Sequence, residues 1–104
     1  MNLTVAQRVA NGVQYLMDTH KGGLIWLDLI DIDKLDLVSP GWCVIGQVFG
    51  GWWQWRDSTD FTLWQIQEMG FEAEYDRGNE CMNDKDYAAL QAAWTRVLLE
   101  LKEV

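Results

Sequence analysis

At 104 residues the chain has room for one hydrophobic core and not for two. With 49% hydrophobic and 23% charged residues it has the make-up of a folded protein, which excludes disorder despite a net charge of −8. That acidic excess repels polyphosphate, so direct binding to nucleic acid or to anionic membranes is disfavoured.

Met1 to Arg8 contains no basic region followed by an apolar stretch, which predicts neither a secretory signal nor an anchor. The longest apolar stretches, Leu24 to Leu27 and Trp42 to Ile45, are far shorter than the ~20 residues that cross a bilayer. A soluble cytoplasmic protein is expected. Cys43 and Cys81 lack CxxC spacing and other cysteines, which favours two reduced thiols over a disulfide framework.

Thr4 is placed to cap a first helix whose Val5, Val9, Val13, Leu16 and Met17 recur at spacings of three and four. Gly12 in its middle lowers helix preference and so implies close packing on a neighbour. His20 to Gly23 should end it, with His20 meeting the negative end of the helix dipole. Leu24 to Ile30 fits a short helix or a buried strand, and the helix is preferred. Asp31 to Leu37 alternates acid and apolar residues. That pattern matches an edge strand, or one short helical turn capped by Asp31 or Asp33.

Ser39, Pro40 and Gly41 break the chain before a helix over Trp42 to Phe49, in which Cys43, Gly46, Gln47 and Gly50 share one side. Gly50 to Arg56 is ambiguous between helix, strand and packed loop. Asp57 to Asp60 offers caps for a helix carrying Phe61, Leu63, Trp64, Ile66 and Met69, stopped by Gly70. Phe71 to Asn83 reads as an acidic irregular loop with Gly78 and Asn79 as turn formers. Asp84 is expected to cap the clearest helix, with Tyr87, Leu90, Trp94, Val97, Leu98 and Leu101 on one stripe. The expected fold is all-α: a compact single domain, residues 1–104, with about four helices and irregular connections.

No motif names a reaction. Counted from Asp31, a calcium loop requires glycine at the sixth position and glutamate at the twelfth, which are Asp36 and Trp42. Two cysteines and one histidine fall short of a structural zinc site, and no glycine-rich phosphate loop is present. No metal or cofactor is expected, and no catalytic residue stands out. Cys43 sits in an apolar stretch and reads as a buried, inert thiol rather than a nucleophile paired with His20.

Two features remain as candidate surfaces. The first is Trp52, Trp53, Trp55 and Arg56, since tryptophan and arginine are enriched among binding hot spots; the competing reading makes these rings core. In a helix Trp52 and Trp55 share a face, while Trp53 points about 100° away. The second is acidic: Asp28, Asp31, Asp33 and Asp36, then Glu72, Glu74, Asp76 and Glu80. Trp26, Trp42, Trp64 and Trp94 read as structural.

Arg8 to Gly12, Asp31 to Leu37, Cys43 to Gly50 and Met69 to Phe71 together resemble a group of small uncharacterised proteins of actinobacterial phages and prophages. The resembling pieces span about two thirds of the chain. The resemblance implies a phage setting, with the host cytoplasm as the compartment, and assigns no site; the Trp52 to Trp55 run and the acidic loop lie outside it. The expected function is a non-enzymatic accessory protein that binds a host or phage protein through a tryptophan-containing helical surface. The alternatives are an acidic nucleic-acid mimic that occupies a basic host DNA-binding protein, and a small enzyme using carboxylates.

Overall fold

The computed structural model describes residues 2–19, 25–76 and 81–103, with backbone only at 75, 76, 81 and 82. The expected helix end at His20 to Gly23 and the turn at Gly78 and Asn79 lie outside them.

Thr4 starts the first helix, α1 (Val5–Thr19), as expected: its hydroxyl accepts from the Gln7 amide at 3.1 Å while the Gln7 side chain accepts from the Thr4 amide at 2.8 Å. This reciprocal capping satisfies two amides that helix geometry leaves orphaned. Val9 and Leu16 on the apolar stripe are fully buried. Gly12 faces the Met69 carbonyl and the Trp94 ring so closely that a Cβ would overlap both.

Leu24 to Ile30 contributes a short helix, α2 (Ile25–Asp28), which buries Trp26 and Leu27. The Asp31 to Leu37 segment takes the helical option and not the strand. Ile32–Lys34 forms one 3-10 turn, and the Asp31 carboxylate accepts from the Asp33 amide at 3.1 Å. Two glutamines fasten this turn and the residues on either side of it. Gln47 accepts from the Asp31 amide and donates to the Asp31 and Trp42 carbonyls, while Gln91 donates to the Leu35 carbonyl and accepts from the Leu37 amide.

Helix α3 (Val44–Phe49) is capped by the Cys43 thiol, which accepts from the Gly46 amide at 3.2 Å. Gly50 closes it at φ 86°, a left-handed conformation that only glycine adopts freely. The ambiguous tryptophan run is helical, α4 (Trp52–Ser58), and packs on α3. The next helix, α5 (Leu63–Glu68), begins later than expected because its cap is Thr62 and not one of Asp57 to Asp60. Thr62 makes a second reciprocal box with Gln65.

Within the acidic loop two short segments pair antiparallel, β1 (Tyr75–Asp76) with β2 (Cys81–Met82). The last helix, α6 (Asp84–Lys102), is capped by Asn83, one residue before the expected Asp84; the Asn83 side chain accepts from the amides of Lys85 and Asp86. Asp84 instead lies in the first turn, where its charge still favours the helix dipole.

The fold is all-α, as expected. It has six α-helices among the described residues, slightly more than the about four expected, and one of them, α4, is the run that periodicity left ambiguous. Helix α1 packs on α5 and α6, and the 3-10 turn and α2 also rest on α6. Buried residues from every helix join one apolar cluster. No helix among the described residues is long and apolar enough to cross a membrane.

Candidate functional site

Helix α4 divides the tryptophan run as its pitch dictates. Trp55 is 3% exposed and sits among aromatic rings, with Tyr15, Phe49, Phe61 and Phe71 centroids about 6 Å away and its indole nitrogen donating to the Tyr15 hydroxyl at 3.0 Å. It is therefore core and not a partner anchor. Trp52, one turn earlier on the same face, is half-buried with its ring 5.4 Å from Trp55. Trp53 points outward and is 64% exposed.

Arg56 is also spoken for: it is half-buried and its guanidinium donates to the Phe61 carbonyl at 2.8 Å, bracing the turn between α4 and α5. Of the four expected anchors, Trp52 and Trp53 remain available.

Among the tryptophans expected to be structural, Trp26 and Trp94 are fully buried. Trp42 and Trp64 are not, at 47% and 54% exposure. Trp42 lies in the turn before the α3 cap, where Lys34 Nζ stands 5.1 Å from its ring centre. Trp64 belongs to a six-residue helix whose buried face is Ile66 and Gln67, and it lies off that face.

The acidic candidates separate into different environments. Asp28, Asp31, Asp33 and Asp36 are all exposed, and the Asp31 and Asp36 carboxylates each accept a backbone amide two residues on. Glu72 and Glu74 are half-buried, and the Glu74 amide donates to Asp86. Glu80 and the side chain of Asp76 lie outside the described residues. Among the described residues no group of histidines, cysteines and carboxylates is placed to hold a metal ion.

A feature that spacing did not reveal brings some of these residues together. A cleft of about 140 Å³ is lined by Val38 and Pro40, by Cys43, by Trp52 and Trp53, and by Glu72. Phe71 and Tyr87 also line it. Pro40 holds its side of the cleft to α4 through a 2.9 Å bond from the Trp52 amide to the Pro40 carbonyl. Val38 beside it is 68% exposed.

Burial pushes the Glu72 carboxyl up from its ordinary value, opposed by the positive field of Arg56. Among the described residues the Glu72 carboxylate has no hydrogen-bond donor; the Arg8 bond to this residue goes to its backbone carbonyl. Cys43 is a free thiol, 3% exposed, and burial raises its pKa against the lowering effect of backbone amides such as that of Gly46. It is a buried thiol, as its apolar setting implies. The Cys81 side chain and His20 lie outside the described residues.

No protein-family profile, curated protein or solved structure matches this chain. The site therefore rests on its own geometry.

The cleft is assembled from four separate stretches of chain, which is why motif reading passes over it. The turn signal at Ser39, Pro40 and Gly41 and the pair Trp52 and Trp53 are visible one by one. Their adjacency depends on the Pro40 to Trp52 bond and on Gln91 holding Leu35 and Leu37 against α6.

Proposed function

We propose that this chain is a non-enzymatic protein that docks on another protein through the face carrying Val38, Trp52 and Trp53. In the phage or prophage setting implied by the sequence resemblance, the partner is a host or phage protein and the compartment is the host cytoplasm. One observation carries the reading: Val38 and Trp53, among the most exposed large apolar side chains of the described residues, line the same cleft. Apolar side chains gathered at a concavity mark interaction surfaces in a way that scattered ones do not.

Affinity capture from the host with the wild-type chain identifies the partner, and calorimetry with purified components then compares Trp53→Ala. A loss of about 30-fold or more is expected for an exposed tryptophan anchor. Unchanged affinity of Trp53→Ala would reject the docking face.

The exposed Asp28, Asp31, Asp33 and Asp36 favour a second reading, an acidic nucleic-acid mimic, because none of the four forms an ion pair among the described residues. Such binding falls steeply with salt and is lost when the aspartates are replaced by asparagine, whereas docking through the tryptophan face survives those replacements and is lost in Trp53→Ala.

A further inference from the structure

We propose that the cleft receives the ammonium end of a lysine side chain presented by the partner protein, between the rings of Trp52 and Trp53 and the carboxylate of Glu72. The inference rests on the protein-docking reading and names what the docking face recognises.

Size comes first. Pockets for whole drug-sized ligands run from about 300 Å³ upward. A cleft of about 140 Å³ suits the end of one side chain.

The lining then selects the chemistry. Four of the residues around the cleft are aromatic, two of them tryptophans. Tryptophan is the strongest aromatic partner for a cation, through the negative face of its ring. The same pairing already occurs on this protein's surface, where Lys34 lies over Trp42.

Glu72 supplies the third argument. Its carboxylate is half-buried, and among the described residues no donor reaches it. Arg56 lowers its pKa through its positive field, and the hydrogen bond that its guanidinium makes goes to the Phe61 carbonyl. Partial burial of the carboxylate is not offset by a protein donor among the described residues, and an incoming ammonium both neutralises it and supplies a charge-assisted hydrogen bond. The net charge of −8 attracts cationic segments over a longer range. Lysine is assigned over arginine on size, because its aliphatic stem lies along the apolar lining and ends in a compact charge within about 140 Å³.

The test uses the full chain labelled with ¹⁵N and titrated with Nα-acetyl-lysine N-methylamide, its Nζ-acetylated form and the arginine counterpart. Lysine is expected to shift the indole N–H signals of Trp52 and Trp53 saturably, with a dissociation constant on the order of millimolar. The Nζ-acetylated form should not. Glu72→Gln should weaken lysine binding about tenfold while the other indole signals stay in place.

Equal binding of the acetylated form, tighter binding of arginine, no saturable shift, or unchanged affinity in Glu72→Gln overturns the proposal. If the captured partner depends on Trp53 and not on Glu72, the docking face stands and the lysine assignment alone falls.

Discussion

Arg8 and Asp86 stand 78 positions apart and meet through two hydrogen bonds of 2.9 and 3.0 Å between guanidinium and carboxylate. Their side chains are 3% and 12% exposed. Arg8 also donates to the carbonyls of Gln67 and Glu72, and the carboxylate of Asp86 accepts the Glu74 amide. One ion pair thus ties α1, α6 and the segment after α5 together, and it fixes Glu72 beside the cleft. Arg8→Met leaves a largely buried carboxylate without its counter-charge and two carbonyls without the guanidinium donor. The expected loss is about 3–5 kcal/mol, read by urea unfolding. An Arg8→Met, Asp86→Leu double variant should recover only part of it, because the Glu74 amide then has no acceptor.

Trp53 and Trp55 lie two residues apart on α4 and should respond oppositely. Trp55→Ala removes the ring around which five others pack and is expected to cost about 3–5 kcal/mol. Trp53→Ala removes a side chain that is 64% exposed, so its stability should stay within about 0.5 kcal/mol of wild type. Thermal unfolding of the two variants decides this. A large loss in Trp53→Ala would mean that the ring is structural and not available for docking.

The all-α class, the Thr4 cap and the close approach at Gly12 were legible in the sequence because each depends on local chemistry: a hydroxyl three residues before an amide, or a glycine inside an apolar stripe. The burial of the tryptophans was legible only in part: Trp26 and Trp94 are core as expected, whereas Trp42 and Trp64 are exposed. Trp55 is core because Tyr15, from another helix, meets it; Trp42 is exposed because it lies in the turn ahead of α3, and Trp64 because the six-residue α5 buries only its Ile66 and Gln67 face. A strong aromatic in a weakly periodic segment has no preferred side until its neighbours are in place. The cleft shows the same limit, since Pro40, Trp52 and Glu72 become adjacent only through long-range bonds made by Gln91 and Arg8.

Trp26 and Trp94 are equally buried and differ in one hydrogen bond. The Trp94 indole nitrogen donates to the Gly70 carbonyl at 2.7 Å, and its ring stacks on Phe71. The Trp26 indole nitrogen is buried with no partner among the described residues. Replacement by phenylalanine removes ring volume in both cases. At Trp94 it also strands an acceptor, whereas at Trp26 it relieves an unmet donor. Trp94→Phe should therefore be the more destabilising, by about 1–3 kcal/mol, in parallel denaturant titrations. Equal losses would mean that the two indole N–H groups are energetically equivalent.

Glu72 links the cleft to pH. Burial raises its folded-state pKa above the ordinary value of 4.5, so between those two values the folded protein binds more protons than the unfolded chain. Stability contributed by this residue is therefore fully present below 4.5 and falls as pH rises through the raised value. At neutral pH the ionised carboxylate is a local destabilisation, as binding sites held ready for a ligand often are. Glu72→Gln keeps the shape and removes the charge. Its melting temperature should exceed that of wild type at pH 7, and the difference should shrink below the ordinary glutamate pKa. A lower melting temperature at pH 7 would mean that the field of Arg56 outweighs burial and that Glu72 is already neutralised without a ligand.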